Sequence, residues 1–367
     1  MPKLEKIVIQ NFRNIELQEL EFSPNLNCIS GGNGEGKTNL LDAIWYLSMT
    51  KSAFCPSDGF CFRHGADSLA VSGTFRMENG TASRFSVQAL RADASQKKVR
   101  RDDKPYKRIS EHIGALPIVL VSPADTSLVS ESGDERRRFV NAVLSQMDPA
   151  YLASVQQYNR LLLQRNRLLK AGIKDEELLC TFDGKLAEYA APVFSRREAF
   201  VRELVPTVRE YYKTISSGAE SVDIEYRSCL HKGSLEDALK AHRTQDALLG
   251  FTTAGIQRDD FLFTMDSHPI RRCGSQGQQK SFLVALKFAQ YDIMKKACGF
   301  APTLLLDDLF DKLDMDRVGR LLQMVSGNGF GQIFLTDSNK VRISGIVDSL
   351  TTDRTYFEAR GGVFNRL

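Results

Sequence analysis

The sequence feature that most constrains this chain is a glycine-rich segment near its start, Gly31-Gly32-Asn33-Gly34-Glu35-Gly36-Lys37-Thr38. Its spacing, G-x-x-x-x-G-K-[ST], is that of a phosphate-binding loop. Residues 26–30 before it resemble a short buried strand, and residues 39–47 after it carry apolar side chains at helical spacing. Because strand, loop and helix follow in the order that the motif requires, the segment predicts an α/β nucleotide-binding fold rather than a structural glycine turn.

All eight residues of this loop are candidate ATP-binding residues. Glycines allow backbone N–H groups to turn towards phosphate oxygens, and the N-terminus of the following helix adds partial positive charge. We expect Lys37 to reach the β- and γ-phosphates and Thr38 to hold Mg²⁺.

A second apolar segment ends in two carboxylates. Residues 302–306 predict a buried strand, and Asp307 and Asp308 follow directly. A carboxylate at the end of a strand beside a phosphate loop binds Mg²⁺, which assigns Asp307 to the metal. Asp308 could orient and deprotonate an attacking water, so we predict Asp308 and Lys37 as catalytic residues. Residues 331–336 predict a last buried parallel strand.

A third motif, Ser275-x-Gly277-Gln278, opens a predicted helix over residues 281–296. Ser275 is a natural N-cap, and the N–H groups at a helix start form an anion site. One phosphate loop already serves one nucleotide, so a second anion site suggests that another protomer completes it. An ordinary capped helix is the alternative.

A basic hairpin is predicted over residues 97–108, turning at Asp102-Asp103. Seven Lys and Arg against two Asp give this segment a charge of +5 (7 − 2), whereas the whole chain carries only +4. It is either a phosphate-contacting surface or a sheet edge kept charged to prevent association. The candidate DNA contacts are Lys97, Lys98, Arg100, Arg101 and Lys104.

Composition limits the class of protein. The chain has 367 residues, of which 42% are hydrophobic and 26% charged, as in ordinary globular proteins. No eighteen-residue apolar stretch and no signal-peptide core are present, and the seven cysteines form no C-x-x-C pair. We therefore expect no membrane span, no zinc site and no disulfide framework, and a cytoplasmic location.

The order of strand-like and helix-like stretches predicts three segments. Residues 1–127 form the first part of a nucleotide-binding head, with the phosphate loop and a β-rich subdomain. Residues 128–248 form a helical insertion, and residues 249–367 form the second part of the head.

Within the insertion, Asp148-Pro149 is expected to cap a helix with a basic side formed by Arg160, Arg165, Arg167 and Lys170. The next helix is expected to break at Pro192 and Pro206. Further on, a strand at residues 270–272 is expected to follow the strand at residues 261–265 across a turn.

The order of these motifs resembles the ATP-binding-cassette superfamily, and within its chromosome-maintenance and DNA-repair branch the RecF family. The resemblance covers essentially the whole chain. The segments that carry it are Phe12-Arg13-Asn14, residues 36–43, Ser122-Pro123-Ala124-Asp125, Arg137-Arg138-Phe139, Gln164-Arg165-Asn166, Arg258-Asp259-Asp260, Ser275-Gln276-Gly277-Gln278-Gln279 and Lys312-Leu313-Asp314.

The resemblance implies a P-loop ATPase head of the ATP-binding-cassette type with an inserted helical second lobe. ATP with Mg²⁺ would lie between two protomers, contacted in trans by Ser275, Gly277, Gln278 and Asp314. ATP would drive dimerisation on duplex or gapped DNA, and hydrolysis would release the dimer. RecF-like proteins load recombinase at gaps with RecR and RecO. Most of the superfamily has Glu where this chain has Asp308, and the shorter side chain implies slow hydrolysis. The enzyme expected from the resemblance is a slow, DNA-stimulated ATPase.

Three other functions compete with a DNA-binding ATP switch. A transporter ATPase has a much shorter spacing than the 238 residues (275 − 37) between Lys37 and Ser275. A long-armed chromosome organiser needs sustained heptads, which the proline-containing insertion does not provide. A nucleotide-gated scaffold with little hydrolysis, whose partners contact DNA, remains open.

Overall fold

A computed structural model describes residues 1–173, 175–216, 220–308, 330–339 and 353–367. These residues form two compact units, one of residues 1–125 and 290–367 and the other of residues 126–289. We call them the head unit and the helical unit. The predicted division placed residues 249–289 in the head, whereas they belong to the helical unit, where their first strand pairs over six residues with a strand at 222–227.

The secondary structure alternates short strands with a few long helices. The strands are β1 (Lys3–Phe12), β2 (Ile15–Glu21), β3 (Leu26–Ser30), β4 (Ser68–Arg76), β5 (Ala82–Leu90), β6 (Asp93–Arg101), β7 (Lys104–Pro105), β8 (Ile118–Val121), β9 (Val222–Arg227), β10 (Asp260–Met265), β11 (His268–Pro269), β12 (Thr303–Leu306), β13 (Ile333–Asp337), β14 (Arg354–Arg360) and β15 (Val363–Arg366). The α-helices are α1 (Lys37–Met49), α2 (Ser127–Ser130), α3 (Gly133–Met147), α4 (Pro149–Lys170), α5 (Glu176–Ser216), α6 (Leu235–Leu249), α7 (Ile270–Cys273) and α8 (Gln276–Cys298).

The head unit contains a mainly parallel sheet of six strands in the order β15-β14-β3-β13-β12-β8. Strand β3 pairs in parallel with β13 on one side and β14 on the other, and β12 pairs in parallel with β13 and β8. Every residue of β3, β8, β12 and β13 is buried, as expected for strands covered on both faces. The predicted strands at 302–306 and 331–336 are confirmed, but the second is not the last, because β14 and β15 follow it.

A second sheet of the head unit is antiparallel, in the order β2-β1-β4-β5-β6-β7. Strands β4 and β5 alternate buried and more exposed residues, so one face of this sheet is packed and the other meets solvent. The predicted basic hairpin is present: β6 pairs with β7, and Asp102 and Asp103 both have the positive φ angles of a tight hairpin turn.

The helical unit consists of α2 to α7, the start of α8 and a small sheet in the order β11-β10-β9. Asp148 caps α4 as expected, since its carboxylate accepts hydrogen bonds from the N–H groups of Ala150 and Tyr151. The predicted breaks in α5 are wrong: one helix runs through Pro192 and Pro206. Its buried side, which recurs every three or four residues along the helix, stabilises it by tertiary packing and outweighs the two lost backbone hydrogen bonds.

Two further expectations for the helical unit are wrong. Residues 270–272 belong to the short helix α7, and the strand that pairs with β10 is His268–Pro269. Arg165 does not lie on an exposed basic side of α4, because its side chain is fully buried and forms ion pairs at 2.8 Å with Asp183 and 2.7 Å with Asp246.

Two of the segments that carried the family resemblance in this unit, those at Asn166 and at Asp259-Asp260, are parts of polar networks that are buried or partly buried. Asn166 accepts two hydrogen bonds from Thr252. The buried Asp259 carboxylate accepts from Arg197 and from the Tyr226 hydroxyl, each at 2.6 Å. Asp260 forms two bonds with the Arg136 guanidinium.

Candidate nucleotide-binding site

The phosphate loop joins the carboxyl end of β3 to the N-terminus of α1. Gly31 has φ +155°, and a Cβ there would lie 2.6 Å from the carbonyl oxygen of Ala359 on the neighbouring strand β14. Gly36, at the N-cap of α1, has φ +104°, and a Cβ there would lie 2.8 Å from the Asn14 side chain. The loop can therefore adopt this path only with glycine at both positions.

Lys37 is buried and folds back along the loop. Its ammonium group donates hydrogen bonds to the carbonyl oxygens of Gly31 at 2.8 Å and Gly32 at 2.9 Å. The side chain is thus held over the mouth of the loop, where the phosphates of a nucleotide bind in proteins with this motif.

Thr38, Asp307 and Thr336 form a cluster at the carboxyl edge of the parallel sheet. The Thr38 hydroxyl donates to the Asp307 carboxylate at 2.9–3.0 Å, and the Thr336 hydroxyl donates to it at 2.7 Å. The three residues come from the start of α1 and from the ends of β12 and β13, so the parallel register brings them together. The predicted proximity of Thr38 and Asp307 is confirmed, whereas the part played by Thr336 was not foreseen.

Asp307 is almost completely buried, with 4% of its surface exposed. Burial raises the pKa of its carboxyl above the usual range, and hydrogen bonds from Thr336 and Thr38 offset this only in part. Within the described ranges, its carboxylate has two hydroxyl partners, and the nearby charge of Lys37 offsets the effect of burial only in part. A divalent cation would supply the missing positive charge.

Asp308 follows with backbone φ +42°, a left-handed conformation that is uncommon outside glycine. Its N–H donates to the Thr336 hydroxyl at 3.0 Å, so Thr336 links both carboxylate residues.

The segment Phe12-Arg13-Asn14 supports α1 from the antiparallel sheet. The Arg13 guanidinium lies 2.5 Å from the fully buried Asp42 carboxylate on α1 and donates to Asn39 at 3.0 Å. Asn14 accepts from the Asn39 amide at 2.7 Å. These residues were expected only as family markers, and their structural role was missed because it depends on contacts between distant segments.

The turn between β14 and β15 contacts the phosphate loop through hydrogen bonds to Glu35. Gly361 donates its N–H to the Glu35 carboxylate, and Gly362 donates to the Glu35 carbonyl at 2.9 Å. The Gly-Gly pair between alternating apolar residues is a hairpin signal that could have identified this turn. Its contact with Glu35 spans 326 positions and could not be derived from local patterns.

The motif Ser275-x-Gly277-Gln278, which we call the signature motif, lies in the helical unit at the start of α8. Ser275 is the N-cap as predicted: the Gln278 N–H donates to its hydroxyl at 3.3 Å, and its own N–H donates to the Gln278 side-chain oxygen at 2.7 Å. Ser275 is exposed, and Gly277 lies in the first helical turn. The fourth residue expected to act in trans, Asp314, lies outside the described residues.

The five candidate DNA contacts have different surroundings. Lys97 has only 12% of its side chain exposed and is paired with Asp58, so the structure opposes a phosphate-contacting role for it. Lys98 and Lys104 are exposed. Arg100 donates to Gln88 at 2.8 Å, and Arg101 is about half exposed above the ring of Phe85.

Comparison with known proteins decides the family. The family model described as RecF/RecN/SMC N terminal domain matches residues 3–350. The DNA replication and repair protein RecF of Bacteroides fragilis is 42% identical over 365 residues, which cover 99% of this chain and 98% of that protein. This chain belongs to the RecF family.

Other members and solved structures agree with this assignment. The RecF protein of Flavobacterium johnsoniae is 39% identical over 358 residues, covering 96% of this chain and 98% of that protein. The structure of the recombination mediator protein RecF-ATP in the RecFOR pathway has a TM-score of 0.90 and 28% identity, and the match covers 100% of this chain and 98% of that one.

The fold is also shared outside the RecF family. The Smc head domain of Pyrococcus furiosus has a TM-score of 0.58 and 16% identity, with 100% of this chain and 96% of that chain covered. The predicted family and the ATPase-head fold class are thereby confirmed. No helix in the described part of the chain is long and apolar enough to cross a membrane.

Proposed function

We propose that this protein binds ATP at Gly31–Thr38 and acts as an ATP switch in DNA repair and replication. The observation that carries the proposal is the cluster of Thr38, Asp307 and Thr336 beside the loop, which brings a hydroxyl and a buried carboxylate within 3.0 Å of each other. The membership in the RecF family and the similarity to RecF-ATP support it.

The oxygen ligands of this cluster suit Mg²⁺. Thr38 and Asp307 would hold the ion, directly or through water, and the bound ion would neutralise charge on the β- and γ-phosphates. Among the described residues, no group of three or more His, Cys, Asp or Glu is placed to hold a metal. This suits an ion that takes its remaining ligands from the nucleotide and from water.

Hydrolysis is proposed to require Lys37 and Asp308. Lys37 would stabilise charge on the transferring phosphoryl group, and Asp308 would orient and deprotonate the attacking water. Aspartate is one methylene shorter than glutamate, so we expect slow turnover, and we propose separately that DNA stimulates it. Asp308→Asn should lower the rate of ATP hydrolysis without weakening ATP binding. Equal hydrolysis rates in the variant and the wild type would argue for a scaffold that is gated by nucleotide binding alone.

The signature at the start of α8 is proposed to contact the γ-phosphate bound by a second protomer. Ser275 and Gly277 would contribute the hydroxyl and backbone N–H groups of that contact, Gln278 would take part by holding Ser275 in place, and Asp314 would lie nearby. ATP would then hold two protomers together on duplex or gapped DNA, with RecR-like and RecO-like mediators as partners. Recombinase loading at single-strand gaps is the proposed outcome.

The dimer is tested by measuring molar mass in solution with and without ATP and Mg²⁺. Lys37→Met should abolish ATP-dependent dimerisation, whereas Lys240→Met, at an exposed lysine, should not. Ser275→Arg should bind ATP but remain monomeric. Its matched control is Ser234→Arg, which removes the corresponding N-cap of α6 without touching the signature. Dimers of normal affinity in both Lys37→Met and Ser275→Arg would contradict the proposal.

DNA binding is tested separately on a labelled gapped duplex at two salt concentrations. ATP should tighten binding, and added salt should weaken it steeply because phosphate contacts release counterions. Weak binding that ATP does not change would assign the DNA contacts to partner proteins.

A further inference from the structure

The first turn of α8 is held by a carboxylate that the sequence motifs do not single out. Glu220, which precedes β9, accepts a hydrogen bond from the side-chain amide of Gln278, with 2.6 Å between Nε2 and Oε1. The other oxygen of Glu220 accepts from the Tyr212 hydroxyl on α5 at 3.1 Å. Both Glu220 and Gln278 are partly buried, and Ser275 beside them is exposed.

The contact with Glu220 fixes which end of the Gln278 amide points towards Ser275. An ionised carboxylate only accepts hydrogen bonds, so it selects the NH₂ end of the amide. The amide oxygen is thereby directed to the other side, where it accepts the Ser275 N–H at 2.7 Å. In return, the Gln278 N–H donates to the Ser275 hydroxyl.

A continuous chain of hydrogen bonds therefore runs from Tyr212 through Glu220 and Gln278 to Ser275. It fixes the backbone at the N-cap of α8 and occupies the N–H of Gln278. The N–H groups of Gln276 and Gly277, the first two residues of the helix, have no carbonyl of their own helix to bind. The direction in which these two N–H groups point depends on the backbone conformation at Ser275, the N-cap.

We propose that Glu220 is a positioning residue for the signature motif. Acting through Gln278, it holds Ser275 and the first-turn N–H groups in the geometry that engages the γ-phosphate of a nucleotide bound by a second copy of this chain. This inference rests on the proposed trans contact. A negative charge at a helix N-terminus is also favourable by itself, so a structural role must be separated from a positioning role.

The test compares ATP concentrations at the midpoint of dimerisation, with ATP binding by the monomer and thermal stability measured alongside. Glu220→Ala should raise the dimerisation midpoint about tenfold, the effect of losing one hydrogen bond to a charged group. ATP binding by the monomer should not change, because the phosphate loop is intact. Glu220→Gln retains an acceptor oxygen and should stay within about twofold of wild type. Glu225→Ala, on β9 and paired with exposed Arg227, is the matched control.

A double-mutant cycle decides whether Glu220 acts through Gln278. Gln278→Ala should also weaken dimerisation, and adding Glu220→Ala to it should have no further effect. Fully additive effects would overturn the proposal, as would a stably folded Glu220→Ala chain that dimerises like wild type. The proposal would also be overturned if Glu220→Gln raised the ATP concentration at the midpoint of dimerisation as much as Glu220→Ala does. A wild-type chain that stays monomeric with ATP would instead overturn the trans contact, and this inference with it.

Discussion

Two buried carboxylates, one in each unit, have different kinds of partner. Asp183 in the helical unit has 3% of its surface exposed and accepts hydrogen bonds at 2.8 Å from the guanidinium groups of Arg165 and Arg243. Asp307 in the head unit has 4% exposed, but within the described ranges its partners are the hydroxyls of Thr38 and Thr336.

This difference supports the proposal that Asp183 is a structural carboxylate and that Asp307 binds a metal ion. Moving an ionised carboxylate from water into a protein interior costs several kcal/mol unless a positive charge accompanies it. The arginines supply that charge to Asp183 within the fold. Hydroxyl groups supply hydrogen bonds and no charge, and the nearby charge of Lys37 offsets burial only in part, so the pKa of Asp307 is raised and a bound cation would compensate its charge.

The largest effect on stability should come from replacing Arg165, whose guanidinium pairs with both Asp183 and Asp246. Arg165→Met should lower the free energy of unfolding by about 3–5 kcal/mol, because it leaves the buried Asp246 without its arginine partner and leaves Asp183 with Arg243 alone. Urea unfolding of the wild type and of Arg165→Met measures this difference in the free energy of unfolding. Arg167→Met, at an exposed position of the same helix, should change the free energy by less than about 0.5 kcal/mol. Equal losses of unfolding free energy in Arg165→Met and Arg167→Met would show that the buried ion pairs of Arg165 are not a source of stability.

The second test removes one carboxylate charge from each unit. Asp183→Asn should lower stability, whereas Asp307→Asn should leave the nucleotide-free protein as stable as wild type or more so. Asp307→Asn should instead lose the stabilisation by Mg²⁺ and ATP, which in wild type is about 2.7 kcal/mol at a ligand concentration of 100 Kd. Melting temperatures with and without Mg²⁺ and ATP measure both. A substantially destabilised nucleotide-free Asp307→Asn would show that this carboxylate is structural.

The third test uses pH. Because burial raises the pKa of Asp307, protonation competes with Mg²⁺. The Mg²⁺-dependent part of the ATP affinity should fall as pH drops through the raised pKa, approaching about tenfold per pH unit below it. For the nucleotide-free protein the sign is opposite: the stability linked to Asp307 is present at low pH and is lost as pH rises through the folded-state pKa.

Calorimetric titration of ATP, with and without Mg²⁺ over a pH series, separates these effects from the titration of the nucleotide. Asp307→Asn should abolish the pH dependence of the Mg²⁺ contribution. A wild-type contribution that is independent of pH would show that Asp307 does not hold the ion.

The smallest effect concerns Lys97 and Lys98, two adjacent lysines of β6. Lys97 is paired with a carboxylate and Lys98 is exposed, so they extend the comparison of charges that are neutralised within the fold with charges that can meet a ligand. Lys98→Ala should weaken DNA binding modestly and reduce its salt dependence by about one unit of log–log slope, as expected for one lost phosphate contact. Lys97→Ala should leave that slope unchanged and lower stability, because Lys97 is paired with Asp58. Titrations of a gapped duplex at several salt concentrations measure both. A larger change of slope in Lys97→Ala than in Lys98→Ala would show that Lys97, and not Lys98, contacts a DNA phosphate.

Local patterns predicted the centre of the nucleotide site well. Strand β3, helix α1 and strand β12 occur where glycine spacing and apolar runs indicated, since each is specified within about ten neighbouring residues. The N-caps Ser275 and Asp148 were likewise identifiable, because a cap depends on residues two or three positions away.

Features set by distant contacts could not be predicted in this way. Arg165 was expected on the basic side of α4. Arginine is seldom buried without a partner, and the burial of Arg165 depends on Asp183 and Asp246, 18 and 81 positions away. The continuous course of α5 through two prolines depends on the elements packed against it. The contact between Glu35 and the turn at Gly361 likewise joins two parts of the chain that share no local pattern.

The sheet order has a consequence for biosynthesis. Strand β3 carries the phosphate loop and pairs only with β13 and β14 among the described strands, and residue 333 of β13 is made 307 positions (333 − 26) after Leu26. At about 5–20 residues per second, a ribosome needs roughly 15–60 s to cover that distance. Throughout this time the nascent chain contains the complete loop sequence next to an apolar strand without its neighbours. The helical unit, residues 126–289, is synthesised in this interval and can fold first. The sheet that places the loop beside Asp307 and Thr336 can therefore form only after β13 and β14 have left the ribosome, and a prematurely terminated chain would carry the motif without that sheet.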